Sequence, residues 1–352
     1  MHMAKSVVGI DIGGESIRGV EVLHPGRPEP VIQRIAEVPL PDGSTKRGEV
    51  LEPNTIAAAL RELWRVGRFR SKNVMLGVGN QRVLSRDLTV PKASLAQIRE
   101  SLPFQVQDML PVPVGDAILD FYPVSESVGP DGPVVHGLLV AAIKDAVLAN
   151  VRAVQLAGLK PVGVDLIPFA LARVYLPAVR SRGTHALVEI GGNTTTVIIA
   201  TDGVPQFVRI IPTGGEDVTT SLSAALEIPA AQAETVKRWI GMGSNVQTPD
   251  DLRAAASIRE RTGELLTSLR NTVSYFASTR TGTSVSSIVL AGGGALLPGF
   301  AEALQTQTRI PVSVGDAFVD AATSRALRRE DITSRGTSTA VAWGLAAGSV
   351  AV

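Results

Sequence analysis

Two short stretches of the chain place the same chemical groups in the same order. Ile10-Asp11-Ile12-Gly13-Gly14-Glu15-Ser16 and Val188-Glu189-Ile190-Gly191-Gly192-Asn193-Thr194 each run an apolar strand into a carboxylate, a glycine pair and a hydroxyl. β-Branched sequence follows both, Ile17 to Val22 and Thr195 to Ala200, so each glycine pair is expected to join two strands of a hairpin. Such turns bring backbone N–H groups within reach of phosphate oxygens, where a β-carbon would clash. A third glycine-rich turn, Gly292-Gly293-Gly294, follows the apolar run 287–291. Two phosphate turns and one backbone shelf predict a nucleotide cleft. Asp11, at the end of a buried strand, needs solvation, a hydrogen bond or a cation. Mg2+ held through water between Asp11 and the phosphates is one partner; a turn-capping role is the bland alternative. Ser16 and Thr194 are either phosphate donors or ordinary strand residues.

Other site chemistries lack their defining groups. There is no G-x-x-x-x-G-K-[ST], no G-x-G-x-x-G after an expected strand, no H-E-x-x-H and no G-x-S-x-G. The four histidines are scattered and cysteine is absent, which removes thiolate metal sites and cysteine nucleophiles. A net charge of +1 gives no electrostatic argument for nucleic acid. Arg61, Arg65 and Arg68 share helical spacing and read as a solvated face, with acidic lipid or a partner as the alternative. Asn193-Thr194-Thr195 matches a glycosylation sequon, but it falls on a strand-turn of a chain expected to stay in the cytoplasm.

The elements that must position these turns follow from pattern and length. A chain of 352 residues with 45% hydrophobic content suits two lobes. Strands are expected at about 6–12, 16–23 and 31–38, a helix from an Asn54 cap to about Val66, and a strand at 73–78. From about Arg86 the character changes. Ser94-Leu95-Ala96-Gln97 opens a helix that meets Pro103 and ends near Leu110-Pro111-Val112-Pro113, and strands at 117–125 and 134–143, a helix at 145–157 and a strand at 161–166 follow. That block reads as an inserted α-β-β-α-β subdomain. A helix at 168–176, hairpins at 187–200 and 204–211, helices from Gly215 to about Arg280, a strand at 288–291, a helix near 300–308, a strand at 312–314 and two closing helices complete a repeated βββαβα pattern. With no apolar signal-like stretch ahead of the first strand and no run of 18 apolar residues, the chain is expected to be neither exported by a standard signal nor membrane-spanning.

The three glycine turns, in this order and spacing, resemble the two phosphate motifs and the adenosine motif of the actin-like ATPases. Leu290-Ala291-Gly292-Gly293-Gly294-Ala295-Leu296-Leu297-Pro298-Gly299 carries the third. Gln105-Val106-Gln107-Asp108-Met109-Leu110-Pro111-Val112-Pro113, followed by Leu119-Asp120-Phe121, is similar to the pattern of the type IV pilus assembly PilM family, in the FtsA-like branch. The resemblance implies an α/β, two-lobed actin-like ATPase fold with an inserted 1C-type subdomain. Its parts would be 1A at 1–85 with 166–183 and 338–352, 1C at 86–165, 2A at 184–213 with 284–337, and 2B at 214–283.

The same resemblance assigns roles. Gly13, Gly14 and Ser16 would meet the β and γ phosphates, with Gly191, Gly192, Asn193 and Thr194 facing them. Gly214, Gly215, Glu234 and Lys237 would hold ribose and adenine, and Gly292, Gly293, Gly294 and Leu296 the purine. Asp11, Glu189 and Gln107 would be the catalytic positions, with Asp11 toward Mg2+. Glu189 stands where the family has Asp, and Gln105 and Gln107 where it commonly has glutamates, so ATP hydrolysis is expected to be slow. The implied partner is the N-terminal cytoplasmic peptide of a PilN-like inner-membrane protein, with pilus motor components as further partners and a cytoplasmic location peripheral to the inner membrane. Apolar residues of the inserted block, Leu102, Phe104, Leu110, Val112, Phe121 and Tyr122, are expected to divide between its core and a peptide groove. Rival readings are an FtsA-like filament former and a sugar-type kinase with Asp120 or Asp165 as base.

Overall fold

The apolar run at the start of the chain forms β1 (Ser6–Ile12), and β2 (Ser16–Leu23) returns beside it, with Ile12 opposite Ile17. The computed structural model describes residues 6–349 apart from 47, 178–181, 244, 281–282, 326, 328–331 and 333–335. After β3 (Val31–Pro39) come two short strands, β4 (Thr45–Lys46) and β5 (Glu49–Val50), and α1 (Pro53–Gly67). This helix begins one residue before the expected Asn54 cap. Glu52 stands at the cap and accepts from the Thr55 hydroxyl at 2.8 Å rather than from a backbone N–H of the first turn, and Pro53 pre-sets the first helical φ. β6 (Asn73–Val78) then runs parallel to β1.

β7 (Val83–Pro91) has no counterpart among the expected strands. It pairs with β9 (Gly132–Ile143), which also pairs with β8 (Ala117–Gly129), giving a three-stranded sheet. Before that hairpin comes α2 (Leu95–Gln105), opened by the expected capping box: Gln97 N–H donates to Ser94 Oγ at 3.4 Å. Two 3-10 turns at 107–109 and 114–116 replace the expected continuation of α2. Ile98, Leu102 and Val106 pack with Val90, Phe121, Val135 and Leu139 as a separate small core. α3 (Lys144–Leu156), β10 (Lys160–Leu166) and α4 (Ile167–Tyr175) follow.

The next segment begins with β11 (Thr184–Ile190), β12 (Thr195–Thr201) and β13 (Val204–Ile211), then α5 (Gly215–Leu226), α6 (Ala230–Ile240) and the long α7 (Pro249–Thr279). β14 (Ser287–Ala291), α8 (Phe300–Thr308) and β15 (Val312–Val314) close it. β16 (Ala322–Thr323) and α9 (Gly336–Gly348) return to the first sheet; the other expected closing helix lies outside the described residues.

The chain divides into unit 1 (1–174, 204–208 and 317–352) and unit 2 (175–203 and 209–316). In unit 1 the six-stranded sheet runs β10-β6-β1-β2-β3-β16, so β1 is central and its Val8 and Ile10 are fully buried. The second sheet runs β13-β12-β11-β14-β15, with β11 central. Each glycine hairpin therefore springs from the middle of a sheet, where the strand ahead of it is fixed on both edges. No helix among the described residues is long and apolar enough to cross a membrane.

Candidate functional site

Both hairpins close in the same way. Gly13 N–H donates to the Ser16 carbonyl at 3.0 Å and Gly191 N–H to the Thr194 carbonyl at 2.9 Å. The first amide of each glycine pair thus serves the turn itself rather than an anion.

Their carboxylates differ. The β1–β2 register puts Asp11 opposite Arg18, and the β2–β3 register puts Arg18 opposite Glu37. An acid, a base and an acid therefore stand in one row across three strands. Arg18 Nη1 lies 3.2 Å from Asp11 Oδ2, and Arg18 Nε 2.9 Å from Glu37 Oε1. The Ser16 hydroxyl donates to the same Glu37 oxygen at 2.6 Å, within the sheet. Burial outweighs the Arg18 charge and raises the Asp11 carboxyl above the usual carboxylate range. At Glu37 burial pushes upward too, but the Ser16 hydroxyl and the charge and hydrogen bond of Arg18 prevail and hold it low. Asp11, open on sequence alone between Mg2+ and a turn-capping role, pairs here with the Arg18 guanidinium. No group of three or more His, Cys, Asp or Glu among the described residues could hold a metal.

In the second hairpin Glu189 stands opposite Thr196. The turn is enclosed by the other glycine segments. Gly215 N–H donates to the Gly191 carbonyl at 2.9 Å and Glu216 N–H to the Gly192 carbonyl at 2.8 Å, docking the start of α5 on the turn. Asn193 Nδ2 donates to Glu216 Oε1 at 3.2 Å. Thr195 Oγ1 donates to the Thr213 carbonyl at 2.8 Å. On the other side β14 runs parallel to β11, with Glu189 beside Ala291. Gly292 has φ +80°, and a Cβ there would lie 2.4 Å from the Ile190 carbonyl oxygen, so only glycine fits the crossing. Tyr175 belongs to the same unit. Burial first, then the negative charges of Glu189 and Asp316, push its phenol far above the usual range.

Lys237 and Glu234 sit one helical turn apart on α6. Lys237 Nζ donates to the Gly215 carbonyl at 3.0 Å and to Thr219 Oγ1 at 2.8 Å, and lies 2.5 Å from Glu234 Oε2. Burial raises the Glu234 carboxyl, but hydrogen bonds from Lys237, Thr219 and Arg238 override it and bring the value down to about 2. The structure therefore gathers Gly191, Gly192, Asn193, Gly214, Gly215, Glu234, Lys237 and Gly292 around one turn of unit 2. Leu296, read as a purine contact, ends a 3-10 turn and is 61% exposed. Gln107 lies on an exposed 3-10 turn of the small α2 layer, and no described hydrogen bond ties it to Asp11.

Arg18, Glu37, Thr219 and Glu216 are site residues that the motif reading passed over. Arg18 was accessible in principle. Once the turn is fixed at residues 13–16, antiparallel pairing puts 11 opposite 18, and an opposite-charge cross-strand pair follows. Thr219 and Glu216 had no such signal, because the docking of α5 and α6 on the turn is tertiary.

Residues 9–350 match the family model of the type IV pilus assembly protein PilM. Among solved structures, a PilM-PilN type IV pilus biogenesis complex shares 26% identity, covering 99% of this chain and 100% of that one with a TM-score of 0.84. MreB5 of Spiroplasma citri bound to AMPPNP shares the fold at 12% identity, with a TM-score of 0.55 over 97% of this chain and 95% of that one. Cell division protein FtsA of Pseudomonas aeruginosa is 24% identical over 90% of this chain and 84% of its own length. FtsA of Bacillus subtilis is 32% identical over 30% of this chain, a match that spans 24% of that protein.

Proposed function

Since the chain belongs to the type IV pilus assembly protein PilM family, with an actin-like ATPase fold, we propose that it is an ATP-binding scaffold of a pilus machine, recruited beneath the inner membrane by the N-terminal cytoplasmic peptide of a PilN-like protein. The observation that carries the reading is the likeness, over essentially the whole chain, to a PilM that was solved with PilN. Pilus motor components are further partners in this reading. The glycine turns at Gly13, Gly191 and Gly292 hold the adenine nucleotide, with Mg2+ arriving on its phosphates. The residues do not fit a resident metal, since Asp11 is already paired with Arg18. Nucleotide occupancy biases which partners the scaffold accepts, and Glu189 in place of aspartate keeps hydrolysis slow.

The test is a synthetic peptide of the partner's cytoplasmic N-terminus, titrated into the full chain loaded with ATP or ADP. Saturable binding that is lost when the peptide's apolar residues become alanine supports the scaffold. No binding at several hundred micromolar, read against the roughly −8 kcal/mol of a micromolar complex, removes it. A kinase reading is disfavoured by its own candidates. Asp120 is held by Arg99 at 2.6 Å in an exposed pair, and Asp165 by Arg173 at 2.9 Å. The FtsA-like reading predicts filaments that pellet only with ATP.

A further inference from the structure

The row Asp11–Arg18–Glu37 is a finished electrostatic unit. Arg18 is gripped from both sides, at 3.2 Å by Asp11 and 2.9 Å by Glu37, with Ser16 closing on Glu37 at 2.6 Å. Its side chain keeps 24% of its accessibility and that of Asp11 12%, so both groups are largely withdrawn from water. Room for the guanidinium comes from the turn itself: a Cβ on Gly13 would stand 3.1 Å from Arg18 Nη1, tighter than ordinary contact. This cation, anchored by a second carboxylate, occupies Asp11 Oδ2 and supplies the positive charge a divalent ion would otherwise bring. Mg2+ surrenders its waters reluctantly and demands octahedral geometry, whereas the planar guanidinium carries fixed donors suited to carboxylates.

We propose that Arg18 is the resident cation of the first hairpin: it holds Asp11 against divalent metal, so that metal entering with a nucleotide is carried by the phosphates and not by this carboxylate. Arg18 is a positioning residue in this account. It acts by fixing Asp11 and, through Glu37, the Ser16 hydroxyl. The consequence for nucleotide handling rests on the ATP-binding reading above, but the exclusion of metal does not, and it can be measured without nucleotide.

The experiment follows uptake of Mn2+ by the nucleotide-free full chain, from loss of the free-ion electron paramagnetic resonance signal. Wild type is expected to show no saturable site at millimolar Mn2+. Arg18→Met, which keeps an apolar stem and removes the charge, is expected to gain one site. Arg18→Met combined with Asp11→Asn is expected to lose that site again, and Arg18→Lys to stay closed to metal. Circular dichroism of each variant confirms the fold. Should Arg18→Met fail to fold, the wild-type and Arg18→Lys titrations still decide. A site in wild type that Asp11→Asn abolishes overturns the proposal, as does an Arg18→Met variant that folds and takes no metal. Failure of wild type to bind ATP in a parallel titration would count against the functional reading alone.

Discussion

At Lys237 an ammonium is largely buried among a carbonyl, a hydroxyl and a carboxylate, and its removal takes one donor from each and the charge partner from Glu234. Lys237→Ala is expected to lower stability by about 1–3 kcal/mol, less than for a fully buried pair because Glu234 retains some solvent; urea unfolding measures it. The same substitution should weaken ADP binding if α6 faces the adenosine. Glu234 makes a separate pH prediction. Its folded value of about 2 lies below the ordinary 4.5, so the ionised form is the one the fold prefers. That stabilisation is complete above pH 4.5 and fades as pH falls toward 2, and Glu234→Gln should flatten the acid limb of a stability–pH curve over that window. At Glu189 the extra methylene relative to aspartate sets the carboxylate forward by about one C–C bond, ~1.5 Å. Steady-state phosphate release should stay below about 1 s⁻¹, and Glu189→Asp should raise it. The glycine turns were legible because their constraint is local: a carboxylate, two glycines and a hydroxyl in six residues. Of the Lys237 network, Gly215, Glu234 and Lys237 were named only through the family resemblance, and Thr219 was not, because these groups meet only once α6 packs on α5.

Among the elements, the hairpins and their flanking strands followed from β-branched runs interrupted by paired glycines. β7 escaped the same reading. Ser85, Asp87 and Thr89 alternate with Leu84, Leu88 and Val90, but Arg86 interrupts the apolar face, and most of the strand stays partly or fully exposed. It is held by pairing to β9 over nine register positions, a long-range contact with little local sequence signal. The small layer built on β7, β8, β9 and α2 divides the apolar residues of this block sharply. Leu102 and Phe121 are buried in its core, Tyr122 packs on Phe169 with ring centroids 4.6 Å apart, and Phe104 is 87% exposed. Phe121→Ala should therefore cost about 3–5 kcal/mol, whereas Phe104→Ser should fall within roughly ±0.5 kcal/mol of wild type. Chemical denaturation of the two variants separates a core position from a surface one. A loss of partner-peptide affinity in Phe104→Ser without loss of stability would place the peptide on α2.

For the whole molecule, the scaffold reading predicts that millimolar ADP or ATP raises the melting temperature. A ligand at about 100 times its dissociation constant adds ~2.7 kcal/mol, enough for a shift of several degrees in a chain of this size. Differential scanning fluorimetry of nucleotide-stripped protein reads this directly, and an unchanged melting point would leave the glycine turns without a ligand. The placement of α9 bears on the order in which the chain can fold. This helix, at residues 336–348, rests on β1 and β2, made from residues 6–23, and Ala340, Ala342, Leu345 and Ala346 are buried there. During synthesis at roughly 5–20 residues per second, the strand carrying Asp11 is made long before its covering helix. At that rate the first sheet shows an apolar face to the cell for about 15–60 seconds, the time needed to make the roughly 310 residues between β2 and α9. Early chaperone contact should therefore concentrate on the sheet that contains the first glycine turn.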